Sequence, residues 1–60
     1  MEERIMEYHR QARECRTLAA KAKNAASRAV FRRVARAWEI LAEEREQFLK
    51  SMKEGANTRH

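Results

Sequence analysis

Few side chains in this sequence have chemistry to offer: His9, Cys15, His60, a set of glutamates and an excess of arginine. His9 and Cys15 stand six residues apart, which on a helix puts them on different faces, and His60 is the last residue. That is not the spacing of a zinc site. A general base at His9 would need an orienting partner and a cavity, and its neighbours are Tyr8 and, one turn on, Arg13. Adjacent glutamates such as Glu43 and Glu44 point in different directions on a helix and read as a solvated face. Glu46 and Lys50, four apart in the favourable order, read as helix support. Gly55 is the only glycine, so no glycine-rich phosphate loop exists. Cys15 reads as a small buried hydrophobe and not as a nucleophile. These residues point to no catalytic site, no metal and no cofactor, and hence to a protein that is not an enzyme.

What the polar residues do carry is segregated charge. From Arg10 to Arg36 there are nine basic residues and one acid, Glu14, a net +8. The two ends together hold five basic residues and eight acids, and the whole chain is +5. A surface built only for solubility would mix the signs, so the segregation implies a partner, either a second copy or a polyanion. Arg28, Arg32 and Arg36 form a row at i, i+4, i+8, and Arg10 and Lys21 point outward in the same way. With Arg33, these six are the candidate contacts for an acidic protein or for phosphates. Tyr8, Phe31, Trp38 and Phe48 all belong to apolar stripes and are not available to stack on bases. There is also no third helix for a helix-turn-helix and no strand for a ribbon-helix-helix. Nucleic-acid binding would therefore be electrostatic and sensitive to salt.

The elements that must position these residues are helical. With 38% charged residues, no proline and one glycine, the composition reads as all-α. Apolar or small residues at Met1, Ile5, Tyr8, Ala12, Cys15, Ala19 and Ala22 alternate four and three apart, a narrow helical stripe. A second, broader stripe runs Phe31, Val34, Trp38, Leu41, Arg45, Phe48 and Met52. The spacing predicts one domain over 1–54, made of a helix over 2–23, a turn over 24–27 and a helix over 28–54. Asn24 suits a left-handed C-cap and Ser27 an N-cap, while Gly55 suits the end of the second helix, with a frayed tail over 55–60. Folding near residue 25 sets large against small: Trp38 faces Ala12, Phe31 faces Ala19, and Val34 faces Cys15. The alternative is a single long helix with a twisted apolar face. Arg45, the one charge among the apolar positions, falls near Ile5, within reach of Glu2, Glu3 and Tyr8, and reads as a snorkelling or register-setting charge, the alternative being a buried charge at a ligand or partner site.

A 60-residue chain hides only about 60% of its unfolded surface and usually needs a supplement. One cysteine allows no internal disulfide. Two helices cannot enclose a core, and the broad stripe leaves Val30, Ala37 or Leu49 facing water. The expected resolution is a homodimer, two antiparallel hairpins forming a four-helix bundle. Its assembly surface is drawn from Ala12, Cys15, Ala19, Val30, Phe31, Val34, Trp38, Leu41 and Phe48. The lone thiol and the acidic, polar beginning of the sequence favour the cytoplasm, and the absence of any long apolar run argues against a membrane partner.

The stretches Tyr8-His-Arg-Gln-Ala-Arg-Glu-Cys-Arg-Thr-Leu-Ala19 and Val34-Ala-Arg-Ala-Trp-Glu-Ile-Leu-Ala42 resemble those of short, uncharacterised helical-hairpin proteins of alphaproteobacteria such as rhizobia. Glu14-Cys15-Arg16 and Ala37-Trp38-Glu39 are the distinctive segments. The resemblance implies a small cytoplasmic hairpin and brings no activity or binding residue with it. Such relatives carry an Asp-Pro type connection where this chain has Asn24-Ala25-Ala26-Ser27. The function expected is a small regulator or adaptor that homo-oligomerises and acts through protein–protein contacts. The rival expectation is a nucleic-acid-associated protein that binds phosphates through the basic tip.

Overall fold

The computed structural model describes the backbone of residues 3–58 and the side chains of residues 3–53. It contains two helices, α1 (Glu3–Lys21) and α2 (Ala25–Thr58), packed as an antiparallel hairpin. The molecule is long and thin, 57 × 18 × 9 Å, because α2 with 34 residues outruns α1 with 19.

The reversal is shorter and earlier than the turn expected over 24–27, taking only residues 22–24. Asn24 is the reason. Its side-chain Oδ1 accepts the backbone N–H of Ser27 at 2.8 Å, and its carbonyl accepts the first helical bond, from Arg28 N–H at 3.1 Å. Asn24 is therefore the N-cap of α2, and Ser27 supplies the donor that is capped and not the cap itself. No described residue is left-handed, so Asn24 does not close α1 as a left-handed C-cap. The end of α1 is satisfied otherwise. Ala22 N–H tightens onto the Ala19 carbonyl at 3.2 Å, and the Arg28 guanidinium donates to the Ala22 carbonyl at 3.2 Å. A cation at a helix C-terminus also suits the helix dipole. At the far end α2 runs through Gly55 to Thr58, past the boundary expected at 54. Glycine permits a left-handed stop without requiring one. Asn24→Ala should cost about 1 kcal/mol, the usual worth of an N-cap. Ser27→Ala should leave the urea midpoint almost unchanged.

The seam between the helices repeats every seven residues. Ile5, Ala12 and Ala19 are the buried residues of α1, and Ala35 and Ala42, both 0% exposed, are those of α2. Tyr8, Cys15 and Ala22 flank the seam on one helix, and Phe31, Trp38 and Arg45 on the other, all half-buried. Small residues at the centre let the backbones come close, and the rings close over the side, with Tyr8 and Trp38 centroids 5.8 Å apart. The pairing thus differs from the one expected. Val34, expected against Cys15, is turned out to 40% exposure, and Ala35 beside it is buried instead. The broad stripe of α2 is wider than a two-helix contact can cover, so the contact takes one edge of it and leaves the other outside.

Candidate functional site

At about 100° per residue, α2 has two unlike flanks beside its Ala35–Ala42 centre line. Glu39, Glu43 and Glu46 lie about 30–90° to one side. Val30, Val34, Leu41 and Phe48 lie about 90–130° to the other. The first flank is charged and bridged to α1. The Arg16 guanidinium donates to the Glu39 carboxylate from Nη2 at 2.6 Å and from Nε at 3.1 Å. His9 Nε2 stands 4.0 Å from Glu46, and Arg36 lies 3.6 Å from Glu39 and 3.5 Å from Glu43. On the outer side of α1, Arg10 pairs with Glu7 and, at 3.7 Å, with Glu14. The Arg16–Glu39 clasp joins the two distinctive segments, Glu14-Cys15-Arg16 and Ala37-Trp38-Glu39.

The Arg16 hydrogen bonds, helped by the charges of Arg16 and Arg36, hold the Glu39 carboxyl below the ordinary carboxylate range despite some opposing desolvation. Glu7 is lowered likewise, by its bonds to Arg10 and then Gln11. A carboxyl depressed in the folded state contributes stability above its unfolded pKa and loses it as pH falls through the folded one. Because Arg16 is half in water, the contribution is modest. Hairpin stability should therefore fall on acidification from neutral to about pH 3, and Glu39→Gln should flatten part of that fall. Urea midpoints across that range measure it, and an unchanged slope in the variant would show that the clasp does not contribute.

The second flank is dry. Val30 is 49% exposed, Val34 40%, Leu41 42% and Phe48 55%, and Met52 continues the line. On α1, Arg16 marks the charged side, and Leu18 stands on the opposite, dry side, also exposed. The Arg45 guanidinium lies 5.6 Å over the Phe48 ring and borders this surface. At the other end a shallow hollow is lined by Ala26, Ser27, Val30 and Phe31.

The nine residues expected to form the assembly surface therefore separate into two groups. Ala12 and Ala19 are buried within the hairpin seam, with Cys15, Phe31 and Trp38 half-buried along it. Val30, Val34, Leu41 and Phe48 remain outside on one flank of α2. Ala35 and Ala42, the most buried of the described residues, broaden the second stripe but are not among those nine. The available signal was the seven-residue repeat shared by Ala12, Ala19, Ala35 and Ala42. Of the six cations expected to meet an acidic partner, Arg10, Arg28 and Arg36 already engage groups within the chain. Arg32, Arg33 and Lys21 are exposed.

No group of side chains suited to holding a metal ion exists among the described residues, and none of their helices is long and apolar enough to cross a membrane. No protein family, curated protein or solved structure matches this chain.

Proposed function

We propose that the protein is a homodimerising helical hairpin that acts through protein–protein contacts, a small regulator or adaptor without turnover of its own. The observation that carries this reading is the unpartnered row of Val30, Val34, Leu41 and Phe48 beside a seam made largely of alanine. An alanine seam buries little apolar area, and at roughly 25 cal/mol per Å² it gives a two-helix fold a thin margin. Covering the second row supplies what the seam lacks. The lone half-buried thiol suits a reducing, cytoplasmic setting, and kinship with the alphaproteobacterial hairpins is part of the same proposal. The segregated charge leaves room for an acidic protein partner at Lys21, Arg32 and Arg33. Nucleic-acid association through the same tip is the weaker reading, since three of its six candidate cations are engaged within the chain.

Leu41→Glu/Phe48→Glu tests the reading. Neither residue lies in the seam, so the variant should keep its hairpin but lose its partner. The expected result is that the wild-type thermal midpoint rises with protein concentration, as mass action requires of a dimer, and that the variant's does not. A wild-type midpoint independent of concentration over about a hundredfold range would refute the proposal.

A further inference from the structure

We infer that two copies pair α2 against α2 in antiparallel, tip to base, with Phe48 of each seated in the hollow lined by Ala26, Ser27, Val30 and Phe31 of the partner subunit. The inference rests on the homodimer proposed above and specifies its face and orientation.

The first ground is area. A compact monomer of this mass would expose about 4,100 Å² by the usual scaling of surface with mass. The hairpin exposes 5003 Å². The excess is close to the roughly 800 Å² that each partner contributes to a standard stable interface. The radius of gyration, 15.5 Å against about 10 Å for a compact 60-residue chain, makes the same point.

The second ground is shape. Phe48, the largest side chain of the dry row, stands near one end, and the hollow stands near the other. A twofold axis crossing α2 near residues 38 and 39 brings the two together, opposing positions whose numbers add to about 77. Both ends are filled at once, as an isologous contact requires. The same register sets Leu41 over the small Ala37 and its neighbour Val34. A parallel pair would instead stack Phe48 on Phe48 and leave both hollows empty.

The third ground is charge. Between Ala25 and Trp38, α2 carries Arg28, Arg32, Arg33 and Arg36 and no acid, whereas residues 39–46 carry Glu39, Glu43, Glu44 and Glu46 against Arg45 alone. A parallel pair sets like against like. In the antiparallel register Glu44 comes beside Arg33 of the partner subunit, on the same edge of the contact, and the symmetry makes that pair twice.

The angle between the seam and the dry row closes the assembly. At roughly 100°, it is the corner of a square, so the α1 helices fall on the same side of the α2 pair and complete a four-helix bundle. Leu18 and Gln11, on the matching side of α1, then turn toward the second α1.

Cross-linking tests this on the intact chain in a Cys15→Ala background. Ala26 and Ser51 are exposed, add to 77 and sit on one edge of the row, and neither fills the contact with a large side chain. Ala26→Cys and Ser51→Cys chains are refolded together and treated with a short bis-maleimide. The expected result is a cross-linked product in the mixture, up to the half of dimers that random pairing makes mixed, and none from either variant alone. Product from each variant alone would mean a parallel pair and overturn the orientation while leaving the dimer. No product from a species of twice the chain mass would place the contact on another face and overturn the inference. A species of single-chain mass would overturn the homodimer reading as well.

Discussion

Trp38→Ala should remove about 3 kcal/mol, the low end of the cost of truncating a large aromatic, because Trp38 is only half-buried in one hairpin. A 60-residue fold commonly has about 3–9 kcal/mol in total, so this one change leaves much of the population unfolded at room temperature. The loss has two sources. The indole is half-buried along the alanine seam. It also holds the ring of Tyr8, 5.8 Å away at a 32° tilt. Helicity and melting by circular dichroism provide the measurement. Unchanged melting would mean that the aromatic pair does not hold the helices together. Trp38→Phe should recover most of the loss, since a ring in that place matters more than the indole nitrogen.

Ala42→Asp should be at least as damaging, at about 3–5 kcal/mol, the range seen when an uncompensated charge is left in an interior. Ala42 is 0% exposed in the seam with α1. A carboxylate there must either lose its water or force the helices apart. The control is Glu43→Ala one residue on, where the side chain is exposed and makes only a 3.5 Å contact to Arg36. A surface change of that kind stays within about 0.5 kcal/mol. Equal melting of the two variants would contradict the seam as described.

How much of this was legible in the sequence depended on the physics of each feature. The helices and the fold-back were readable because alternate spacings of four and three at Ile5, Tyr8, Ala12 and Cys15 admit only one kind of element. The division of labour on α2 was not. Phe31, Val34, Trp38, Leu41 and Phe48 look alike in a hydropathy pattern, and which of them face α1 is decided by how closely the backbones approach. That distance depends on the small Ala35 and Ala42, which such a pattern counts with the rest of the broad stripe and does not single out as its buried centre. The turn was misplaced for a related reason. Asn and Ser are both good N-caps, and the choice between Asn24 and Ser27 turns on which of them meets an N–H three residues on. Asn24 does, at 2.8 Å. The interhelical clasp of Arg16 and Glu39 spans 23 residues, and the sequence carries no local signal of such a pair.

The segregation of charge was legible throughout, and the structure gives it a direction. Cations gather near the turn and along the first half of α2, and the acids that answer some of them lie on the flank facing away from the dry row. The chain has therefore used one side of its hairpin for internal ion pairs and kept the other apolar. That division is what a surface for a second copy requires, and the register inferred for α2 uses both its shape and its charge.

The measurement that tests the central claim most directly is light scattering on the size-exclusion peak of the wild-type chain in low salt, with absorbance followed at both protein and nucleic-acid wavelengths. The account predicts a protein-only peak at twice the 7.1 kDa chain mass that persists when salt is added. A peak at the single-chain mass, or one whose nucleic-acid absorbance vanishes in high salt to leave a monomer, would contradict it.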